Sequence, residues 1–314
     1  MDVDMDRDLW QRHIPSRAAQ NRLRAAETWL ARSGALPVSI MFRCRTHEPA
    51  TIISAALETL LSHRARWQYA DITLPAASPV SELETGARLV MPLLRKLHVT
   101  GASFDTDQCL ALLSAPNLHT LVGQLADDTY YSKMRTLRLA DADIWQTRSL
   151  TTLKLCEIAL TYVAPILART PALAHCWLDI WGWPPAGAGA ALPVIHLPKL
   201  ETLVLTGEAQ ASEVNSLLNA IATPVLQRLG IAGGFVLGFA PTQAEADVNN
   251  LLRLAEKVGC HQALTTLAIA GKGDAWSRLV DHMFAVFSAL QQVYAKPDEW
   301  PAAVEDFWGT KTVV

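Results

Sequence analysis

The segment LTTLKL at residues 150–155 decides how this chain folds, because its pattern recurs along most of the sequence. Apolar residues occupy its first, fourth and sixth positions, and variable residues occupy the others. Recurrence of one short pattern along a chain is typical of repeat architectures. The other clear copies are LRKLHV (94–99), MRTLRL (134–139), LAHCWL (173–178), LETLVL (200–205), LQRLGI (226–231) and LTTLAI (264–269), and the weaker copies are WQYADI (67–72), LHTLVG (118–123) and LQQVYA (290–295).

Most copies begin 23–27 residues apart, which is enough for one strand, one helix and two turns. The two 16-residue intervals, before and after Met134, have no room for a full helix and are expected to contain turns or a short 3₁₀ segment. Four prolines stand two residues ahead of a leading leucine, and we expect them to end helices before strands. They are Pro116, Pro171, Pro198 and Pro224. Helical apolar spacing occurs between the copies at 50–67, 106–115, 212–222, 241–258 and 275–290.

Alternating strands and helices form either a doubly wound sheet or a leucine-rich solenoid. A strand covered on both faces is apolar throughout, whereas Lys96, Arg138 and Lys154 occupy variable positions here. One face of the sheet is therefore expected to meet water, and no glycine-rich phosphate loop follows a strand. The sequence predicts an α/β leucine-rich-repeat solenoid with irregular repeats. Its curved parallel sheet would line the concave face, and helices and turns the convex face.

We interpret the 314 residues as a single leucine-rich-repeat-like domain. Residues 1–34 are expected to form an N-terminal cap with a helix at about 16–33. Residues 35–297 would hold the repeats, and residues 298–314 would form a C-terminal cap. Caps are required because the open ends of a solenoid expose its core.

The composition excludes several classes of protein. The net charge is −3, so no overall basic field attracts nucleic acid. The acidic N-terminus does not fit a signal peptide, and the longest apolar run, 229–240, is too short to span a membrane. The five cysteines are scattered without a C-x-x-C pair and fit reduced thiols. We therefore expect an intracellular protein, in the cytoplasm or nucleus, that does not contact a membrane.

Motifs of catalytic and cofactor sites are missing from the sequence. It contains no G-x-S-x-G, no H-E-x-x-H, no P-loop and no G-x-G-x-x-G. Paired acids such as Asp127 and Asp128 lie in predicted turns. We therefore predict a binding protein and not an enzyme, with no catalytic residue, metal ligand or cofactor.

Three ordered segments resemble the region that follows the F-box in the fungal F-box/leucine-rich-repeat family. They are DLWQRH (8–13), AETWLARSGALPVSIMF (26–42) and LLSHRARWQYADITLP (60–75). With the repeats behind them, the resemblance extends over residues 8–235. The F-box itself, a helical segment with an L-P-x-E start, is not present in this chain. The Asn or Cys that usually follows the last strand leucine is replaced by other residues, so the turns are expected to be irregular.

The resemblance implies a protein–protein recognition module, the substrate-recognition part of an F-box-type ubiquitin-ligase adaptor. The alternative is a free-standing leucine-rich-repeat scaffold without a role in ubiquitin transfer. Docking to a ligase scaffold is expected only if an F-box lies upstream. This chain by itself is expected not to bind such a scaffold.

Variable positions on neighbouring strands stack about 4.8 Å apart, so their side chains form columns across a sheet. The N-terminal half of the exposed face is predicted to be basic and largely free of acids. That face would suit a protein partner with an acidic segment, and nucleic acid is the less favoured ligand. The alternative is an ordinary solvated face. The predicted partner-binding residues are Arg95, Lys96, His98, Arg135, Arg138, Lys154, His175 and Trp177.

The segment CWLDIWGWPPAGAGAALP at residues 176–193 begins with three closely spaced tryptophans. Exposed tryptophans are good binding anchors. Trp181 and Trp183 are therefore candidate loop anchors for a partner. The alternative is that these side chains pack inside the solenoid.

Overall fold

The fold is that of a computed structural model. It describes residues 6–44, 50–74, 89–101, 113–125, 148–158, 160–181, 193–208, 211–231, 260, 262–269 and 283–294. Four helices of the described residues are α1 (Asp6–Arg32), α2 (Ala50–Ser62), α3 (Leu160–Arg169) and α4 (Ala211–Ala220), and a 3₁₀ turn spans Arg64–Arg66. Residues 283–286 are also helical. The N-terminal helix thus begins ten residues earlier than the sequence predicts.

The strands are β1 (Val38–Arg43), β2 (Trp67–Leu74), β3 (Leu89–Val90), β4 (Lys96–Gly101), β5 (Leu113–Ser114), β6 (Thr120–Leu125), β7 (Thr152–Ile158), β8 (His175–Trp181), β9 (Ile195–His196), β10 (Thr202–Glu208), β11 (Ile221–Ala222), β12 (Arg228–Ile231), β13 (Thr266–Ile269) and β14 (Gln292–Tyr294). The large sheet has ten strands in the order β1-β2-β4-β6-β7-β8-β10-β12-β13-β14. Each pair whose register is described runs parallel. Two short pairs, β3 with β5 and β9 with β11, lie outside this sheet. The fold class is α/β with a large parallel sheet.

The chain divides into two compact units. The first contains the described residues up to Leu118 together with 123–125. The second contains 119–122 and the described residues from Arg148 onward. The predicted C-terminal cap at 298–314 lies outside the described residues, and the assignment of a single domain stays a prediction.

A β-turn fixes the start of several strands in the large sheet. In each, the N–H of the leading leucine donates to the C=O three residues earlier. These bonds join Leu94 to Met91, Leu118 to Ala115, Leu173 to Thr170, Leu200 to Leu197, Leu226 to Thr223 and Leu290 to Phe287 at 3.0–3.3 Å. Proline suits the second turn position because its fixed φ matches that position.

The prolines ahead of the leading leucines occupy this second turn position. Pro171 follows α3, so the prediction that these prolines end helices holds there. Pro116, Pro198 and Pro224 instead follow the two-residue strands β5, β9 and β11. The prediction is wrong for these three, because a proline that suits a turn does not specify which element precedes the turn.

In the second unit, one backbone connection recurs between successive strands. The C=O of the residue after the leading leucine accepts two hydrogen bonds, from consecutive N–H groups on the next strand segment. The acceptors are His119, Thr151, Ala174, Glu201, Gln227 and Thr265, with distances of 2.8–3.1 Å. The pattern therefore specifies the backbone pairing as well as the apolar positions.

The same connection corrects the predicted strand at residues 134–139. The C=O of His119 accepts hydrogen bonds from the N–H groups of Thr151 and Thr152, so β6 and β7 pair directly. No strand lies between β6 and β7 in the large sheet, so the two 16-residue intervals merge into one interval between neighbouring strands. Residues 134–139 themselves lie outside the described residues. The spacing of apolar residues within a segment does not decide which strands become neighbours in a sheet.

Leucines of the pattern form the core of the second unit. Leu153, Leu203 and Leu229 are 0%, 1% and 3% exposed. The register aligns Leu153 and Leu203 with Cys176 of β8, and Leu229 with Leu203. The repeated pattern predicts that its middle apolar residue, at the fourth position, points into the core, and the burial of these three leucines confirms that prediction. Leu137, the fourth residue of the copy at 134–139, lies outside the described residues.

The opposite face of the sheet in the second unit is only partly exposed. Thr202, Val204 and Ala268 are each 0% exposed, although Thr202 and Val204 alternate with core leucines and so point to the other face. The expectation that this face meets water is wrong at these three residues of β10 and β13. Those strands carry small or apolar residues where β7 carries Lys154, so the charged positions of one strand did not represent the rest.

In the first unit, α2 buries one face of the helix. Ile53, Ala56, Leu57 and Leu60 are all buried and recur at the spacing of an amphipathic helix. The predicted helix at 50–67 is wrong beyond Ser62, where the 3₁₀ turn and then β2 follow. Trp67 is 1% exposed at the start of that strand.

Arg66 joins the end of α1 to the turn before β2. Its guanidinium donates to the C=O of Leu36 at 2.9 Å, to the C=O of Leu30 at 3.2 Å and to Ser33 Oγ. Leu30, Ser33 and Leu36 belong to the 26–42 segment of the resemblance, and Arg66 belongs to the 60–75 segment. The two segments are therefore in direct physical contact.

Arg66→Met should lower the free energy of unfolding by about 2–4 kcal/mol, because two part-buried acceptors, the C=O of Leu30 and Ser33 Oγ, lose charge-assisted hydrogen bonds. Methionine retains most of the apolar part of the side chain. Arg64→Met is the matched control, since among the described residues the Arg64 guanidinium donates only to the nearby C=O of Leu61. Urea denaturation measures both variants. Equal losses of stability would contradict the joining role of Arg66.

Candidate functional site

The first unit presents one face of β1, β2 and β4 to solvent. Strand alternation places these side chains opposite core residues such as Ile40, Ile72 and Leu97. We call this set the open face. Its members are Ser39, Met41 and Arg43 of β1, Tyr69, Asp71 and Thr73 of β2, and Lys96, His98 and Thr100 of β4.

Two large apolar side chains on the open face are exposed. Met41 is 61% exposed and Tyr69 is 42% exposed. The register aligns Met41 with Asp71, and Tyr69 with Lys96. Tyrosine, methionine and arginine are enriched at protein interfaces. The open face therefore has the composition of a contact surface.

Asp71 lies between two basic side chains of the open face. Arg43 Nη2 donates to Asp71 Oδ2 at 3.1 Å. His98 Nδ1 lies 3.2 Å from Asp71 Oδ1, at ion-pair distance but without hydrogen-bond alignment. His98 Nε2 also lies 3.2 Å from Thr100 Oγ1. The Arg43 guanidinium compensates the charge of Asp71, although a pair with so exposed an arginine contributes little to stability.

The open face contains only some of the residues predicted from sequence. Lys96 and His98 lie on it. Arg95 precedes β4, where its N–H donates to the C=O of Gln68 at 2.8 Å, and its side chain is exposed outside the face. Arg135 and Arg138 lie outside the described residues, and the direct β6–β7 pairing overturns their predicted place between those strands.

Sequence reasoning missed Met41, Arg43, Tyr69 and Asp71. The expectation of a face largely free of acids is wrong at Asp71. The available signal was the alternation in residues 38–43 and 67–72, where variable residues separate apolar ones. It was weak because neither segment has the leading leucine of the clear copies.

The second unit carries a connected group on β7, β8 and β10, which we call the Trp177 cluster: Lys154, Trp177, Asp179 and Thr206. Lys154 Nζ lies 3.5 Å from the centroid of a Trp177 ring. The indole N–H of Trp177 donates to Thr206 Oγ1 at 3.2 Å, and the Thr206 hydroxyl donates to Asp179 Oδ1 at 2.9 Å. One chain of contacts thus links a cation, an aromatic ring and a carboxylate.

The Trp177 cluster changes the interpretation of the predicted basic stripe. A cation above a tryptophan ring contributes about 0.5–2 kcal/mol, so Lys154 is held by its own chain. Asp179 is a further acid on the strand face, beside the predicted binding residues Lys154 and Trp177, where the face was expected to be largely free of acids. Trp181 ends β8, and Trp183 lies outside the described residues.

Two backbone irregularities flank the end of β8. The register of β7 shifts between Leu155 and Ile158, and Glu157 has a φ of 61°. On the other side, Gly207 of β10 has a φ of 111° and lies against the backbone of Ile180. Bulges re-aim side chains at strand ends. The register shift in β7 therefore changes the direction of the side chains near Ile158, whereas the pairing of Gly207 with Ile180 stays in register.

The thiols of the second unit do not suit nucleophilic chemistry. Burial raises the pKa of Cys156 to about 11 and that of Cys260 to about 11. Burial also raises the pKa of Cys176. A protonated thiol is a poor nucleophile. Within the described ranges, no group of three His, Cys, Asp or Glu side chains could hold a metal ion.

His175, another predicted binding residue, is half-buried on β8. Its Nδ1 lies 3.2 Å from Thr202 Oγ1. Burial lowers the pKa of His175, with Glu201 opposing this shift and Arg228 adding to it. The imidazole is therefore neutral at neutral pH and serves as a hydrogen-bond partner within the chain.

His175 should make the protein less stable in acid. Its pKa is lower in the folded state than in the unfolded state, so the unfolded state binds more protons as the pH falls below about 6.5. The stability advantage of the wild type over His175→Gln should therefore shrink from about pH 7.5 to about pH 5. Urea denaturation between about pH 7.5 and about pH 5 measures this difference in the free energy of unfolding. His196→Gln is the control, because His196 is exposed. A constant difference would contradict the effect.

No helix in the described part of the chain has both the length and the apolar character needed to cross a membrane. Comparison of the chain with protein-family models, curated proteins and solved structures finds no match.

Proposed function

We propose that this chain is a protein–protein recognition module whose partner binds the open face of the first unit. The observation that carries this proposal is the exposure of Met41 and Tyr69 beside Arg43 and Lys96. Apolar anchors surrounded by charged groups are typical of binding surfaces. Recognition here involves no catalysis, cofactor, membrane or nucleic acid.

We propose the irregular leucine-rich-repeat solenoid as the architecture of this module. Its support is the recurrence of one β-turn and one backbone connection at successive strands. Buried leucines at equivalent positions support it as well.

We propose, further, that the chain acts inside the cell as the substrate-recognition part of an F-box-type ubiquitin-ligase adaptor. The contact of Arg66 with Leu30, Ser33 and Leu36 supports this role, because it joins two segments of the resemblance. The alternative is a free-standing scaffold. The adaptor and the free-standing scaffold would both bind their partner through the open face. Only the adaptor would also associate with a ligase scaffold.

Affinity purification of the full-length protein from its native cells tests these proposals. Tyr69→Ala should reduce recovery of the specific partners by about tenfold, which corresponds to 1.4 kcal/mol. Val194→Ala is the matched control, because Val194 is 65% exposed and lies in the second unit. Circular dichroism verifies that both variants fold.

Ligase scaffold subunits among the recovered proteins would support the adaptor. Specific partners without such subunits would support the free-standing scaffold. Identical recovery with Tyr69→Ala and Val194→Ala would contradict recognition by the open face.

A further inference from the structure

β1 is an edge strand of the large sheet and pairs with β2. Just beyond β1, the N–H of Cys44 donates to the C=O of Thr73 at 3.0 Å. Backbone groups of successive residues in a strand point in alternating directions. The N–H and C=O groups of Ile40 and Phe42 therefore face β2, and those of Ser39, Met41 and Arg43 face away from it.

The outward backbone groups of Ser39, Met41 and Arg43 have no hydrogen-bond partner within the described part of the chain. An edge strand with unpaired N–H and C=O groups can form backbone hydrogen bonds with a strand of another chain. Proteins usually block such edges with lysine, proline or a bulge. The segment Val38–Arg43 contains no lysine or proline, and its register is irregular only between Val38 and Ser39.

These outward groups belong to the residues whose side chains form the first row of the open face. A strand added to β1 would place its own side chains about 4.5–5.5 Å from those of Met41 and Arg43. A strand that pairs with the edge of β1 would therefore also contact the open face. Its backbone would bond to β1, and alternate side chains would contact the face.

Charge on the open face indicates what the occupant carries. The side chain of Arg43 is 65% exposed, and its guanidinium makes one described hydrogen bond, to Asp71. Its remaining N–H donors suit a carboxylate, which guanidinium binds through two parallel hydrogen bonds. Lys96 has no carboxylate at ion-pair distance among the described residues. Since Asp71 is already compensated, the face offers positive charge.

We propose that β1 receives an extended peptide segment of the protein partner as an added strand. The segment carries a carboxylate side chain at Arg43 and an apolar side chain against Met41 and Tyr69. This inference rests on the proposed function, because the open face is the same surface. In strand addition, main-chain hydrogen bonds give affinity and alternate side chains give specificity.

A second copy of this chain fits the edge less well. The sequence VSIMFR of β1 contains no acidic residue to pair with Arg43 of another copy.

Panning the whole chain against a phage-displayed library of random twelve-residue peptides tests the inference. Synthetic copies of the enriched peptides are then titrated by fluorescence polarisation. We expect an excess of Asp and Glu in these peptides. Met41→Pro removes one outward N–H, and edge strands tolerate proline where the N–H faces away from the sheet. Binding should weaken about tenfold, and Met41→Val, which keeps the N–H, should bind within about threefold of the wild type.

Two further measurements do not depend on how well Met41→Pro folds. Bound peptide should slow hydrogen exchange at the amides of Ser39, Met41 and Arg43 in the wild type. Arg43→Glu should weaken binding by about tenfold or more, because it reverses the charge that meets the carboxylate.

Unchanged exchange at these three amides, with binding that Tyr69→Ala still weakens about tenfold, would overturn strand addition and leave recognition by the open face in place. Peptides without an excess of acidic residues would overturn the carboxylate requirement. A wild-type dimer that becomes monomeric in Met41→Pro would assign the edge to a second copy. Binding that no open-face substitution alters would overturn the proposed function as well.

Discussion

Gly207→Ala is expected to lower the free energy of unfolding by about 3–5 kcal/mol, one of the largest effects of any single substitution in this chain. A Cβ at this position would lie 2.1 Å from the C=O oxygen of Ile180 and 2.7 Å from its nitrogen. Both atoms belong to the backbone of β8, so the contact cannot be relieved by a side-chain rotation. The φ of 111° is also one that residues with a Cβ rarely adopt.

Gly34→Ala is the matched control for this prediction. Gly34 has a φ of 56°, and nothing lies within 4 Å of an added Cβ. Gly34→Ala should lower the free energy of unfolding by only about 1–2 kcal/mol, because the sole penalty is the left-handed conformation for a residue with a Cβ. Urea denaturation followed by circular dichroism compares the two variants. Similar losses of stability would show that the approach of Gly207 to Ile180 does not constrain the sheet.

Leu203→Ala is expected to lower the free energy of unfolding by about 2–5 kcal/mol, because it removes a buried side chain and leaves a cavity. Leu203 is 1% exposed, and the register places it between Cys176 and Leu229. Leu36→Ala is the control, since Leu36 is 67% exposed. Its effect should stay within about 0.5 kcal/mol. A loss below that value for Leu203→Ala would contradict the register of the buried leucines.

The sequence predicted the class of the fold and the core of the second unit well. Leu153, Leu203 and Leu229 are buried at the positions that the repeated pattern assigns to the core. The face buried by α2 also follows from the helical spacing of its apolar residues. These features depend on the alternation of apolar and polar residues within one element, and short-range patterns specify that alternation.

The candidate site was predicted less completely. Lys96 and His98 were identified, but Asp71 beside His98 was not. Lys154 was identified as a binding residue, whereas its ammonium lies above Trp177 of the same chain. Each difference concerns two side chains on neighbouring strands. Their pairing depends on the register between strands, which the spacing within either strand does not specify.

By itself, the sequence determined which residues point into the core and where several strands begin. Leading leucines, and prolines suited to the second turn position, act through local sterics and burial. Only the tertiary structure decided that β6 pairs directly with β7, that Val204 is buried opposite the core leucines, and that the outward edge of β1 has no described strand beside it. The physical reason is that strand pairing and coverage are set by segments far apart in the chain, whose contacts compete for the same backbone groups.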